Sequence, residues 1–366
     1  MVDRLRVGVA GLHRGPSFIR TFTTFKETEV TAICDVNQDT LNKVGGSLGI
    51  KGRYLDYEDM LASGVEVAVV ATPMQFHAPQ AISALKSNIH VLSEVTAAIS
   101  LDECHLLLQA ARASRAKYMM AENYCYTKSN VLVRNMVRQG LFGEVYFAEG
   151  EYVHDVKSLH HDERGKPTWR YYWQVGRNGC TYGTHSLGPV LQWFDERVVT
   201  VSCLGSGRHT DPEHLMDDTV LMLCKTESGA LIKIRLDMLS NRPHNMAYYS
   251  LQGTRGCYEA PRGLGDDHKV WLAGFSGDPN KWRPLSDLEE QYLPDIWRKP
   301  PEEALKAGHW GGDYFVARDF LDSILNDTKP PIDIYDALNF TAPGLVSEES
   351  IKQGGKPLPV PDFREL

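Results

Sequence analysis

A loop containing glycines and an acidic residue further along the chain provide the first chemical signal in the sequence. The loop Gly11-Leu12-His13-Arg14-Gly15-Pro16 follows an apolar run. It is a degenerate form of the G-x-G-x-x-G turn, because His13 and Pro16 stand where glycines are expected. Roughly twenty residues later, Asp35 ends a second apolar run, where a carboxylate accepts hydrogen bonds from the ribose hydroxyls of a dinucleotide. No arginine follows Asp35 to bind a 2′-phosphate, so we expect NAD as the cofactor rather than NADP.

The loop has a dinucleotide interpretation and a plainer one. In the first, Gly11 permits a tight turn, the following helix N-terminus meets the pyrophosphate and Arg14 adds positive charge. In the second, the loop is an ordinary strand–helix turn and Asp35 caps the next helix. The order of the surrounding elements favours dinucleotide binding.

Alternating apolar runs and helical stretches indicate how these residues are positioned. The runs lack alternating polarity, which is typical of parallel strands buried on both faces. Predicted strands lie at 5–11, 30–36, 65–73 and 89–94, and predicted helices at 16–26, 37–48, 77–87 and 101–115. Ser100 and Glu103 form a capping box at the start of the last helix. Since the carboxyl ends of such strands face the ligand crevice, further cofactor contacts are predicted from Ala71, Thr72, Pro73, His77, Glu94 and Asn123.

The pattern changes near residue 125. After a predicted helix at 128–140, alternating segments typical of an antiparallel sheet occupy 145–154, 198–206, 217–225, 229–238 and 246–253. Residues 261–310 are predicted as long loops, and helices are predicted at 312–326 and 335–353. We therefore predict an α/β protein with a parallel-sheet Rossmann domain at 1–125. An α/β domain with an open, mainly antiparallel sheet follows at 126–366, and its C-terminal helices are candidates to pack back on the first domain.

Composition narrows the classes of function. The chain has 366 residues, 42% of them hydrophobic and 23% charged, with a net charge of −8, which suits a globular protein of two domains. Interspersed charges argue against a nucleic-acid partner, and no apolar stretch is long enough to span a membrane. The N-terminus has no apolar signal segment, and the cysteines are scattered without a C-x-x-C pair, so we expect a cytoplasmic protein with reduced thiols. An open sheet face is usually buried by a partner subunit, which predicts a homo-oligomer, either a dimer or a tetramer.

Five stretches between Val7 and Gly150 carry a family resemblance: VGVAGLHRG, TAICDVNQDTLNKV, VEVAVVATPMQFHAPQAISALKSNIHVLSEVTAA, MMAENYCY and VRNMVRQGLFGEVYFAEG. In this order they resemble the Gfo/Idh/MocA family of oxidoreductases, which implies a Rossmann domain followed by a substrate-carrying α/β domain. That family usually has Glu-Lys-Pro after the fourth strand, and its lysine works as an acid or base. Here the positions are Glu94-Val95-Thr96, and valine cannot transfer a proton. The family's Asp-x-Gly-x-His motif appears as Thr181-Tyr182-Gly183-Thr184-His185, without the aspartate.

One branch of that family, the NAD-dependent α-N-acetylgalactosaminidase group of glycosidases, is more similar and also lacks the lysine. Its motifs match residues 94–98 (EVTAA), 121–126 (AENYCY), 150–155 (GEYVHD), 182–189 (YGTHSLGP) and 309–313 (HWGGD). The resemblance implies that Glu122, Tyr152, Tyr182 and His185 lie around the sugar and the nicotinamide. We place Val95 with Glu94 among the cofactor contacts, and His13 and Arg14 with Gly11.

The resemblance implies a redox route to glycosidic cleavage. NAD oxidises C3 of the sugar, the ketone acidifies the C2 hydrogen, a base removes it, the leaving group is eliminated, water adds and the sugar is reduced again. Such a route needs an acid–base pair instead of two carboxylates. We assign His185 to the hydroxyl that is oxidised and Tyr182 to the C2 proton or the carbonyl, with Tyr152 as a third catalytic residue. Glu122 is expected to bind a sugar hydroxyl or the nicotinamide ribose, and Asn123 the carboxamide.

Structural interpretations of these residues remain open. His185 can be a satisfied core histidine and Tyr182 a packing residue. Tyr152 and His154 share one face of a predicted strand, which can face the substrate or pack on a helix. The aromatic–basic cluster at 169–173 can stack on a sugar or fill a subunit interface. The predicted substrate contacts are Glu122, His154, Asp155, Trp169, Arg170 and Asp313. No metal is predicted, because the histidines near Asp155 are irregularly spaced.

Three functional hypotheses follow. The leading one is an NAD-dependent enzyme that processes a sugar or glycoside by transient oxidation. The second is an NAD-dependent sugar or cyclitol dehydrogenase that releases NADH. The third is a non-catalytic nucleotide-binding sensor, against which the acid–base motifs at 152–155 and 182–189 count.

Overall fold

The computed structural model describes residues 4–365, which divide into two compact units. The first unit consists of the chain up to Tyr126, of Pro301–Leu338 and of the chain from Phe363. The second consists of Thr127–Pro300 and Asn339–Asp362. Among residues 4–365, no helix combines the length and hydropathy needed to cross a membrane.

The first unit contains a six-stranded parallel sheet. Its strands are β1 (Leu5–Ala10), β2 (Thr28–Cys34), β3 (Gly52–Tyr54), β4 (Val67–Val70), β5 (His90–Ser93) and β6 (Tyr118–Met120). Its helices are α1 (Gly15–Thr24), α2 (Gln38–Ser47), α3 (Tyr57–Ala62), α4 (His77–Lys86), α5 (Leu101–Ala113), α11 (Glu302–Lys306) and α12 (Gly312–Leu325). The strand order β3-β2-β1-β4-β5-β6 places the chain reversal between β1 and β4, where doubly wound sheets bind ligands. The predicted Rossmann fold is confirmed.

Burial explains why this unit could be predicted well. Val7, Val9 and the whole of β4 are buried, as expected for strands covered on both faces. Ser100 caps α5 as predicted, accepting a hydrogen bond from the amide of Glu103 at 3.1 Å, and the Glu103 carboxylate accepts at 3.0 Å from the amide of Ile99, one residue before the cap. The short elements β3 and α3 were not predicted, since three to six residues show too little periodicity.

The second unit contains a nine-stranded mixed sheet in the order β14-β13-β12-β11-β7-β10-β9-β8-β15. Its strands are β7 (Val145–Val153), β8 (Val198–Gly205), β9 (Thr219–Thr226), β10 (Leu231–Asp237), β11 (Asn245–Gly253), β12 (Gly256–Glu259), β13 (Lys269–Leu272), β14 (Arg283–Pro284) and β15 (Leu358–Pro359). Its helices are α6 (Lys128–Arg138), α7 (Trp169–Trp173), α8 (Thr184–Phe194), α9 (Glu289–Tyr292) and α10 (Asp295–Arg298), while α13 (Ile334–Lys352) belongs to both units.

The predicted open, mainly antiparallel sheet is confirmed, with one parallel pair between β7 and β10. Helix α8 packs on one face of this sheet, against β7, β10 and β11. On β9, Leu221 and Leu223 alternate with buried residues and are exposed on the other face. The expectation of long loops over 261–310 was wrong in part, because β13, β14 and three short helices lie there. None of these elements is longer than five residues, which is too short to show a hydrophobic period in the sequence.

Candidate active site

The turn after β1 is built around Gly11 and Asp35. Gly11 has a φ of +86°, and a Cβ at this position would lie 2.4 Å from the carbonyl oxygen of Ala71, so only glycine fits. The amide of Leu12 donates to the Asp35 carboxylate at 2.8 Å, and the amide of Asn37 donates to its other oxygen at 2.9 Å. Asn37 caps α2, so the capping interpretation of Asp35 is wrong. The Asp35 carboxylate is therefore held beside the turn, half-buried.

Arg14 lies in a buried charge network rather than on open surface. Its guanidinium donates to both oxygens of Asp313 at 2.7 and 2.8 Å and to Glu94 at 2.6 Å. Asp313 has no exposed surface and also accepts from Ser17 at 2.7 Å and from Asn123 at 3.2 Å. Although burial raises the pKa of Asp313, hydrogen bonds from His309 and Arg14 hold it well below its usual range. The structure thus uses the charges of Arg14 and Asp313 to join α1 to the start of α12.

The loop after β4 carries several of the predicted cofactor residues. The amide of Ala71 donates a hydrogen bond to the carbonyl oxygen of Ala10, and Pro73 precedes a single 3₁₀ turn. The His77 ring nitrogens lie 2.7 Å from the carbonyl oxygen of Thr72 and 2.8 Å from that of Thr96, and burial lowers the pKa of His77. His77 therefore joins the β4 loop to the segment after β5, and its buried ring has a carbonyl partner at each nitrogen.

Two buried side-chain amide oxygens of the first unit lack hydrogen-bond partners within residues 4–365. They are the amide oxygens of Gln75 and Asn123, which follow β4 and β6. Leaving a buried acceptor unpaired costs about 1–3 kcal/mol, so each marks a place where a ligand donor would be stabilising. Gln75 was not predicted, because a loop glutamine carries no sequence signal.

Other predicted residues of the first unit are placed as follows. Glu122 is fully buried, and its carboxylate accepts from the amide of Tyr124 at 3.2 Å. Val95 is buried in the segment that follows β5, and the neighbouring Glu94 accepts a hydrogen bond from Arg14. His13 is exposed at the surface of the β1–α1 turn.

The second unit contains a cluster of aromatic rings made by the predicted catalytic residues. Tyr152 is the penultimate residue of β7, Tyr182 lies two residues before α8, and His185 is in the first turn of α8. The ring centres of Tyr152 and His185 are 5.2 Å apart, those of Tyr182 and His185 are 5.5 Å apart, and those of Tyr152 and Tyr182 are 6.2 Å apart. All three side chains are at least nine-tenths buried. The structure therefore brings the three predicted catalytic residues together.

A close approach of β7 to α8 creates this cluster. A Cβ on Gly150 would lie 2.5 Å from the carbonyl oxygen of Ser186, so glycine is required two residues before Tyr152. The hydroxyl of Tyr249 on β11 donates to the carbonyl oxygen of His185 at 2.5 Å and fixes the start of the helix from the same sheet.

Two histidines extend the cluster, His154 in the segment after β7 and His244 in the loop before β11. The Tyr152 hydroxyl lies 2.9 Å from Nδ1 of His154, and the His154 ring centre lies 4.4 Å from that of His244. His244 was not predicted, because it lies in the loop before β11, far from the other motifs in sequence.

The predicted substrate residues of the following loop have partners of their own. Asp155 pairs with Lys157 at 2.9 Å. The Arg170 guanidinium stacks on Trp169 at 4.5 Å and donates to Gln174 at 2.9 Å. Within residues 4–365, no group of three or more histidine, cysteine or acidic side chains has the geometry to hold a metal.

Two family models match the chain. The model described as "Oxidoreductase family, NAD-binding Rossmann fold" covers residues 5–122, and "Glycosyl hydrolase 109, C-terminal domain" covers 126–207 and 205–365. Fold and cofactor turn thus define an NAD-binding oxidoreductase of the Gfo/Idh/MocA type. The chain belongs to the glycosyl hydrolase 109 family and carries its NAD-binding oxidoreductase domain at residues 5–122.

Relatives match nearly the whole chain, and solved structures share its fold. A glycosyl hydrolase family 109 protein of Solibacter usitatus is 29% identical over 98% of this chain and 88% of its own length. A protein of Shewanella oneidensis named alpha-N-acetylgalactosaminidase is 28% identical over 99% of this chain and 85% of its own length. Levoglucosan dehydrogenase, solved with NADH and L-sorbose, has the same fold with a TM-score of 0.83 at 19% identity, covering 98% of this chain and 100% of that one. An oxidoreductase domain protein from Kribbella flavida gives 0.82 at 20% identity, with coverages of 98% and 100%.

Proposed function

We propose that this protein is an NAD-dependent glycosidase that acts on a carbohydrate by transient oxidation of the sugar. The observation that carries the proposal is the cluster of Tyr152, Tyr182 and His185, whose rings lie within 6.2 Å of one another in a largely buried site. Val95 stands at the position where related dehydrogenases use a lysine, so the phenols and the imidazole supply the acid–base groups.

The first unit has groups that fit NAD. Gly11 lets the β1–α1 turn pack directly against the backbone of Ala71, and the N-terminus of α1 follows the turn, an arrangement suited to a pyrophosphate. Asp35 would accept from the ribose hydroxyls, and the unpaired oxygen of Asn123 would accept from the carboxamide. Arg14 would act indirectly, since its charge is already matched by Asp313 and Glu94.

The second unit would handle the protons. When bound, NAD supplies a reversible two-electron oxidation at a sugar carbon that bears a hydroxyl. His185 would take the proton of that hydroxyl and return it later. Tyr152 would remove the proton at C2 once its neighbour is a ketone, and Tyr182 would donate a hydrogen bond to the ketone oxygen, with both phenols held in place by the packing of β7 on α8. Glu122, Trp169 and Asp155 remain proposed sugar contacts.

The substrate we propose is a hexose or N-acetylhexosamine glycoside. This class is supported by the glycosidase names of the relatives and by the sugar ligands of the dehydrogenases of similar fold.

We also propose that the protein is a cytoplasmic homo-oligomer, with residues 1–125 acting on NAD and 126–366 on the sugar and on assembly. The open face of the second sheet supports assembly, because Leu204 and Leu221 pair across β8 and β9 and are exposed together. The described cysteines are all free, which suits a reducing compartment.

The test is turnover of aryl glycosides by the NAD-loaded enzyme, with released phenol and NADH absorbance followed together. Phenol release without net NADH supports the proposal. Steady NADH formation from free sugars indicates a dehydrogenase, and neither signal with NAD still bound indicates a sensor. His185→Ala should abolish turnover and keep NAD affinity, whereas His209→Ala, at an exposed position, should behave as the wild type.

A further inference from the structure

Tyr152 and His154 form a hydrogen-bonded pair that leads outward from the buried cluster. The Tyr152 hydroxyl is 2.9 Å from Nδ1 of His154. Tyr152 is buried, His154 is half-buried and His244 is exposed, and the two imidazole rings contact each other edge to face at 4.4 Å. The three side chains therefore form a row from the interior to the surface of the second unit.

We propose that His154 is a positioning residue that carries protons between Tyr152 and solvent, with His244 at the outer end of the path. The inference rests on the proposed function, in which Tyr152 removes the C2 proton. It replaces the earlier assignment of His154 as a sugar contact.

The transfer balances without any further reactant. Tyr152 must lose its phenol proton before it accepts one from carbon. That proton passes to Nδ1 of His154 while the proton on Nε2 leaves to water beside His244, so the ring is neutral before and after the step. Run in the opposite direction, the same path delivers a solvent proton to the phenolate. The abstracted C2 hydrogen is thereby exchanged with water instead of being returned to carbon.

The surroundings of His154 favour a neutral ring, which such a relay requires. The charged or titratable groups facing it are Tyr152, Asp155, Arg170, His185 and His244. Burial, with added repulsion from His244 and Arg170, lowers the pKa of His154 to about 4, although Asp155 opposes this. At neutral pH one ring nitrogen can therefore accept while the other donates, whereas a cationic imidazole offers no acceptor.

Strand pairing places these side chains. Tyr152 is the penultimate residue of β7, and His154 follows the end of the strand, where its amide still donates to the carbonyl oxygen of Asp237 on β10 at 2.8 Å. The two side chains therefore lie on the same side and contact each other. β11 pairs antiparallel with β7, and Asn245 lies opposite Val153, which brings His244 beside His154. The row is thus a consequence of the sheet register.

The first arm of the test uses His154→Phe, which keeps a ring but cannot carry a proton. Wild type and variant turn over an aryl glycoside in deuterated water, and deuterium at C2 is measured per phenol released. We expect exchange in the wild type, and in His154→Phe slower phenol release together with a large loss of exchange per phenol released, with NAD affinity retained. His209→Phe is the matched control and should exchange like the wild type. Wild-type exchange per turnover in His154→Phe would overturn the inference.

The second arm needs no substrate and so separates this inference from the proposed function. Imidazole resonances of the full-length protein are titrated by NMR in the wild type and in His244→Gln. The His154 midpoint should lie well below its ordinary value and rise in His244→Gln, because a like charge is removed. A His154 midpoint that lies at the ordinary value and does not change in His244→Gln would overturn the relay, even if glycosides are cleaved. Absence of phenol release by the wild type would instead refute the proposed function, while this titration still reports on the pair.

Discussion

Replacing Asp313 by asparagine should destabilise the first unit by about 3–5 kcal/mol, because it breaks a buried ion pair. The carboxylate accepts two charged hydrogen bonds from Arg14, at 2.7 and 2.8 Å, and one from Ser17 at 2.7 Å. Hydrogen bonds to charged groups contribute about 1.5–3 kcal/mol each. Asparagine retains one acceptor oxygen and turns an amide against the guanidinium, while Glu94 still pairs with Arg14.

The pH dependence follows from the lowered pKa of Asp313. A carboxyl whose pKa is lower in the folded state stabilises the fold fully above its unfolded pKa, about 3.9, and loses that contribution as the pH falls below it. The wild-type first unit should therefore lose stability below about pH 4 more steeply than Asp313→Asn does.

Hydrogen exchange of the α12 amides measures this effect within the first unit. A loss of about 3 kcal/mol raises exchange through opening of this unit by roughly two orders of magnitude. Asp322→Asn is the matched control, because Asp322 pairs with Arg318 on the same helix but is half-exposed, and such pairs contribute at most about 1 kcal/mol. Equal protection in the two variants would refute the structural role of the Arg14–Asp313 pair.

Three further predictions concern the cofactor and the assembly. Gly11→Ala should weaken NAD binding about tenfold or more in calorimetric titration, because the left-handed backbone at position 11 costs an alanine about 1–2 kcal/mol before any clash. Gly46→Ala, whose added Cβ meets nothing within 4 Å, should bind NAD normally. Asp35→Ala should lower the preference for NAD over NADP, because it removes the charge that repels a 2′-phosphate; an unchanged ratio of dissociation constants would argue against its role. Leu221→Lys should shift the sedimentation mass towards monomer, whereas Leu264→Lys, on an exposed loop, should not; the same mass in both would count against the sheet-face interface.

Features set by local periodicity could be predicted from the sequence. The apolar runs of β1 and β4 fixed a parallel sheet because both faces are buried, and the two-residue spacing of Tyr152 and His154 placed them on one face. The loop of Gly11 was weak as a motif, yet the close approach to Ala71 explains why the turn requires glycine at position 11, while the exposed position 13 accommodates a histidine.

Features that depend on distant residues could not be predicted. The partner of Arg14 lies 299 positions away, so the sequence indicated a phosphate contact where the structure shows an ion pair with Asp313. His244 joins the aromatic cluster only through the β7–β11 register, and Gln75 is notable only because its buried oxygen has no partner among residues 4–365. Neither register nor desolvation leaves a local pattern in the chain.

The central claim, cleavage of a glycoside through transient oxidation with recycling of NAD, is tested most directly in deuterated water. The NAD-loaded enzyme cleaves an aryl glycoside, and the released sugar is examined for deuterium at C2 while NADH absorbance is recorded. Deuterium at C2 with phenol release and no net NADH is the predicted result. Phenol release with only protium at C2, or NADH formed in proportion to product, would contradict the account.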